Sequence, residues 1–198
     1  MNPFTTILLA TALTIIGALP FGLVNLSVLD TSYYQGSRMA IKIAHGAAIV
    51  EIFFGLSALF AGNFVLEFTD GSWFARFMEV VIPAIIGVVF FLKGKKTKKL
   101  PTEGRSGFLK GVFLNLISIQ VLMYWLFVIT YLNAKQVAIE PRLYLFFGIG
   151  IWTGKMLVLY LYAKLSTLIL ARSKTIAYNM NRIIGSVLLI TALIQFFK

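Results

Sequence analysis

Apolar residues in this chain come in long runs, without the short alternation of a soluble strand. Residues 2–29 hold no charged side chain. That run exceeds the ~20 residues needed to cross the hydrocarbon core of a bilayer, and it predicts a first span over about Thr5–Leu29. A second run covers Ala40–Ala61 and is interrupted by Lys42, His45 and Glu51. A third covers Phe74–Leu92, and a basic segment, 93–108, follows it. The fourth run is Leu109–Leu132, and the fifth is Leu143–Leu170, carrying Lys155 and Lys164. The sixth, Ile183–Phe197, has only fifteen residues, so it is a short or tilted span or begins nearer Ile176. Every span is expected to be helical, because backbone groups in hydrocarbon need internal partners and the alternation of a barrel strand is absent.

Composition agrees with lipid as the main solvent. Hydrophobic residues make up 59% of the 198 and charged residues 13%, against about 25% charged in a soluble domain. With no cysteine and one histidine, His45, neither a thiol centre nor a histidine-rich metal site is expected. No Lys or Arg precedes the first run, so the basic start of a cleavable signal is missing and the first span is expected to be retained. The net charge of +11 belongs to cytoplasmic loops rather than to a nucleic-acid surface.

The distribution of that charge predicts an orientation. With the N-terminus outside, thirteen Lys and Arg fall on the inner side, among them Arg38, Lys42, Lys110 and Lys164. Four fall outside: Arg76, Lys135, Arg142 and Lys198. The positive-inside rule then places both termini outside and the basic loop in the cytoplasm. Contact of that loop with anionic lipid headgroups is a second reading.

The loop divides the chain into residues 1–92, the loop 93–108, and residues 109–198. Three spans per part make the parts run in opposite directions, as in transporters built from inverted repeats. Faint matches follow the same order. Gly22-Leu-Val-Asn25 in span one resembles Gly111-Val-Phe-Leu-Asn115 in span four. Gly46 precedes Glu51 by five residues, as Gly150 precedes Lys155. Ile-Ile-Gly recurs at Gly87 and Gly185. The expected fold is therefore all-α, with six transmembrane helices in two inverted three-helix repeats.

Glu51 and Lys155 lie near the middle of spans two and five. A charge at that depth costs about 2.5–3.5 kcal/mol on insertion scales, and such residues face the interior, pair, or mark a transport path. Equivalent positions in inverted halves would let them meet near the midplane. They are read either as a structural lock between the halves, or as a functional pair that holds the charged ends of a zwitterion. A scaffold would bury the pair dry, whereas a transporter would give it water access from one side. Pro20, between Gly17 and Gly22, predicts a kink or a functional break in span one, with Asn25 just beyond it. Asn115 and Ser118 share a face of span four and are read as interhelical glue or as the lining of a polar cavity shared with span one. His45 is read as an interfacial or satisfied histidine rather than a proton relay, and Trp73, Trp125 and Trp152 as interface anchors or packing.

These residues resemble a known family. Leu19-Pro-Phe-Gly-Leu-Val-Asn25, Tyr34-Gln-Gly-Ser-Arg38 and Ala44-His-Gly-Ala-Ala-Ile-Val-Glu51 resemble the L-lysine exporter (LysE/RhtB) family, in a form similar to its subgroup common in Bacteroidetes. Phe108-Leu-Lys-Gly-Val-Phe-Leu-Asn115 and Asn181-Arg-Ile-Ile-Gly185 are similar to its fourth and last spans. Two departures stand out. The Pro-Gly-Pro element is here Pro20-Phe-Gly22, and the Asn-Pro of span four is Ser118-Ile119. Lacking that proline, span four is expected to be continuous.

The resemblance implies a multi-pass protein of the bacterial cytoplasmic membrane. It implies export of amino acids or similar small polar metabolites, driven by a proton or ion gradient. The expected substrate or ion contacts are Pro20, Gly22, Asn25, Glu51, Asn115, Ser118 and Lys155. Neither a cofactor nor a catalytic residue is expected, since no nucleophile–base pair is visible. The partners are a small-molecule substrate and membrane lipid, with homo-oligomerisation left open. The alternatives are a cation or metal efflux protein of the same superfamily and a non-transporting membrane scaffold.

Overall fold

The computed structural model describes residues 1–19, 22–68 and 107–170, with isolated helical positions between 81 and 193. Helix α1 runs Pro3–Ala18, α2 Leu23–Gln35, α3 Ser37–Phe68, α4 Gly107–Leu116, α5 Ile119–Ala134 and α6 Tyr144–Lys164. A short α7, Ser166–Leu170, follows. The spans expected at 74–92 and 183–197, apart from those isolated positions, lie outside the described residues, as do the basic loop up to Ser106 and Pro20. Ser37–Ala61 and Pro141–Lys164 are each long and apolar enough to cross a membrane, and α1–α2 and α4–α5 qualify as two bent pairs. The described residues thus hold two spans, or four with the bent pairs, of an all-helical membrane protein.

Local chemistry explains the ends of these helices. Asn2 caps α1 by accepting from the Thr5 backbone N–H at 2.8 Å, while its own N–H donates to the Thr5 hydroxyl, which satisfies donors a helix start leaves open. Gly36 turns the chain from α2 into α3 at φ 89°, a backbone state that glycine adopts without a steric penalty. The axes of α1 and α2 meet at 79°.

Span four is not continuous, contrary to the expectation from its missing proline. The axes of α4 and α5 meet at 60°. The break falls at Ser118. The Ser118 hydroxyl donates to the Leu114 carbonyl at 2.7 Å, the acceptor its own backbone N–H would take in a regular helix. That N–H turns instead to Asn115 O at 3.0 Å. At this position a side-chain bond takes the place of the helical one. Thr14, Thr130 and Thr153 bond the carbonyl four residues back within continuous helices, so what marks Ser118 is the shifted backbone N–H.

Two contacts dominate the packing, and each joins a broken span to an unbroken one. α1 lies parallel to α6 along a stripe of small residues, with Ala10, Thr14 and Ala18 buried at every fourth position. Gly150 faces Ala10 and the Ile7 carbonyl, and Gly154 faces Thr11 and Thr14. α4 lies parallel to α3 in the same manner, with Gly111 against the Ile43 carbonyl and Gly46 against the Phe108 carbonyl. Where no hydrophobic force drives helices together, such close backbone approach supplies the attraction. The basic ends also sort: Lys110 reaches Thr31, and Ser32 bonds to Ala163 beside Lys164, at the end where α3 begins. Lys135 and Arg142 belong to the connection between α5 and α6 at the other end.

This packing fixes a first prediction. A side chain at Gly111 or Gly150 would strike the backbone of the partner helix, and overpacking of this kind costs about 1–3 kcal/mol. Gly111→Val and Gly150→Val should each lower the thermal midpoint of the detergent-purified protein. Gly148→Ala, whose added methyl would stand 3.4 Å from the flexible Ile52 side chain, should leave it nearly unchanged. Equal midpoints for all three variants would refute the close-packing account.

Candidate functional site

Glu51 occupies the middle of α3 and Lys155 the middle of α6. Glu51 stands ~15 Å of helix from Ala61, and Lys155 ~14 Å from Lys164, about half a hydrocarbon core in each case. The two helices run antiparallel, and a Cβ at Gly55 would strike Ile151, one turn from the charged pair. The Lys155 ammonium lies 2.5 Å from Glu51 Oε2. Glu51 is 1% exposed and Lys155 3%. Two apolar clusters flank the pair along the helices: Ala44, Ala47, Val158 and Tyr162 on one side, and Ala58, Leu59, Phe147 and Ile151 on the other.

The first break is fastened by side chains from three helices. Asn25 donates to the Ala18 carbonyl at 2.6 Å. The Tyr162 hydroxyl donates to Leu19 O at 2.8 Å and also engages the Asn25 side chain. Tyr124 donates to Leu13 O at 2.6 Å, with its ring against Gly17 and within electrostatic reach of Glu51. Carbonyls at the end of a broken helix would otherwise face hydrocarbon without partners.

The second break meets the first. A methyl group at Gly22 would stand 3.4 Å from Gln120 Nε2, so the starts of α2 and α5 touch. From the last turn of α4, Asn115 donates to the Ala47 carbonyl at 2.7 Å, one turn from Glu51. Ser118 is spent on its own helix, through Leu114.

The residues singled out in the sequence therefore form connected groups. Glu51 and Lys155 pair, Asn115 stands one turn from them, and Gly22 and Asn25 sit at the crossing of the broken spans. Pro20 lies outside the described residues. Tyr124, Tyr162 and Gln120 join the site without having been expected. Their signal in the sequence was weak: aromatic and amide side chains in apolar runs look like interface residues or glue. Trp125 is 0% exposed, which makes it packing rather than an interface anchor. His45 is half-buried, stacked 5.7 Å from Trp152, and takes no part in the site.

Burial of the pair meets the condition set for a scaffold. An alternating-access carrier closed to both sides meets it equally, so the burial does not separate the two readings. The pair itself is testable. Removing one partner of a buried ion pair costs about 3–5 kcal/mol, because the other charge is stranded, whereas removing both is often near neutral. Glu51→Gln and Lys155→Gln should each destabilise the purified protein strongly, and the double variant should recover most of the loss. Additive losses in thermal unfolding would mean that the two side chains do not interact.

Comparison with known proteins bears out the family resemblance. A family model described as LysE type translocator matches residues 15–196. No match was found among curated proteins or among solved structures. The matched stretch contains both helix breaks, Glu51 and Lys155, and the chain belongs to the LysE type translocator family.

Proposed function

We propose that this protein is a secondary transporter that exports amino acids or similar small polar metabolites across the bacterial cytoplasmic membrane. A proton or ion gradient drives the export. Six transmembrane helices form two inverted three-helix repeats, with both termini outside. Glu51 and Lys155 supply the charge of a midplane site, Asn115 and Ser118 its polar contacts, and Pro20, Gly22 and Asn25 its broken-helix part.

One observation carries this reading. A buried, oppositely charged pair lies at the middle of two spans, between two helices broken at the depth where they touch. Broken helices at membrane depth are retained where their backbone lines a protein or water cavity, the arrangement of many transporters. The reciprocal contacts, span one on span five and span four on span two, are what a two-fold relation between inverted halves requires. The separation of Lys110 and Lys164 from Lys135 and Arg142 agrees with the orientation.

The test is transport by the purified protein in liposomes. A panel of L-amino acids should include at least one member whose flux depends on an imposed proton or sodium gradient. Glu51→Gln and Lys155→Gln should reduce that flux at least tenfold, at protein levels matched by immunoblot. If no panel member moves under either gradient, amino-acid export is wrong. If flux is normal in both variants, the pair is only structural.

A further inference from the structure

The cations of this chain are answered differently at its two ends. Around the connection between α5 and α6, Arg142 pairs with Glu140 at 2.7 Å, and Lys135 stands 5.9 Å from the centre of the Tyr131 ring. Where α3 and α4 begin, three cations gather without such partners. Arg38 and Lys42 are exposed on α3, four residues apart. A Cβ at Gly107 would meet Met39 and Lys42, so α4 starts against this stretch of α3. One turn on, half-buried Lys110 reaches the Thr31 hydroxyl at 3.4 Å, which uses one of the three donors of its ammonium. Among the described residues the ion pairs are Arg142–Glu140 and Lys155–Glu51. No described acid, Asp30 of α2 included, therefore neutralises the three.

Their placement is unfavourable for the protein alone. Like charges four residues apart on a helix repel, which sets Arg38 against Lys42. Cations also oppose the positive end of a helix dipole, and neither α3 nor α4 has an acid in its first turn. An anion from outside the chain would relieve both costs.

Depth and surroundings say which anion. Arg38 lies ~20 Å and Lys42 ~14 Å along α3 from Glu51, against ~15 Å for half a hydrocarbon core. The charges therefore stand at the level of phospholipid headgroups. Phe108 and Leu109, which precede Lys110 on α4, are exposed, as are Tyr33 and Tyr34 in the last turn of α2. A soluble anion would use the cations alone. A phospholipid uses both parts of the surface, its phosphate the cations and its chains the apolar side chains.

We propose that Arg38, Lys42 and Lys110 bind the phosphate of an anionic phospholipid, whose acyl chains lie along Phe108 and Leu109. This surface is separate from the Glu51–Lys155 pair and from the lysines of the basic loop, and it does not rest on the transport reading. The orientation proposed above assigns the lipid to the cytoplasmic leaflet.

The test is native mass spectrometry of the delipidated, detergent-purified protein, titrated with phosphatidylglycerol or phosphatidylcholine of the same acyl chains. Phosphatidylglycerol should bind at least tenfold more tightly. Each cation near a membrane surface strengthens such attraction about fivefold. Arg38→Gln with Lys42→Gln should therefore abolish the preference, and Arg38→Lys with Lys42→Arg should keep it. Without lipid, the neutralised variant should melt no lower than wild type, because the repulsion is gone. Phosphatidylglycerol should raise the midpoint of wild type and not that of the variant. Lys95→Gln with Lys96→Gln and Lys98→Gln, in the basic loop, should leave the preference intact. Equal binding of the two lipids overturns the proposal. So does loss of the preference in the loop variant alone, or a midpoint raised as much by inorganic phosphate as by phosphatidylglycerol. If the neutralised variant does not fold, Lys42→Gln alone reads the binding, and an unchanged preference there overturns the proposal.

Discussion

A bilayer interior offers no water to finish an incomplete hydrogen bond or to solvate a charge. The rest of this structure follows from that constraint. The helix pairs α1–α2 and α4–α5 are each sharply bent, and each broken end must find partners inside the protein. Asn25 and Tyr162 supply them for Ala18 and Leu19 at the first break. Ser118 supplies one for Leu114 at the second. The charge on Glu51 is tolerated because Lys155 arrives from another helix at 2.5 Å. None of these contacts is optional in hydrocarbon, since each replaces a partner that water would provide for a soluble protein.

The small residues make this arrangement geometrically available. Lys155 reaches Glu51 only because α6 and α3 lie close, and both also carry a broken helix on a glycine surface. Gly150 and Gly154 of α6 seat α1, and Gly46 of α3 receives α4, whose own Gly111 meets the Ile43 carbonyl. The broken helices are thus held along their straight parts, while their ends turn toward one another at Gly22 and Gln120. Packing fixes the halves, and the polar groups are left to the crossing point.

Much of this was legible in the chain. Long apolar runs announce helices in lipid, and an acid and a base at the centres of two runs announce a pair. Other features were hidden for physical reasons. The break in span four has no proline; it falls at Ser118, whose backbone N–H turns to Asn115 O, and serine in a helix is usually silent. Gly46 meets the Phe108 carbonyl as Gly150 meets that of Ile7, a pairing of glycine with backbone that apolar sequence is too repetitive to announce.

The sign of the central pair constrains what can share its site. Glu51 and Lys155 together carry no net charge, so the pair itself leaves no unpaired ion in hydrocarbon. On the proposed reading, a ligand that inserts between them must bring two opposite charges of its own, each answering one side chain. A neutral zwitterion keeps the sum at zero at every stage. A ligand with a net charge leaves one unit uncompensated, at the depth where that costs most. Lys155 then stands in for the ligand's cation whenever the site is empty, and the pair becomes both the lock between the halves and the contact that a substrate must open. The structural and functional readings of these two residues are then one interaction seen with and without its ligand.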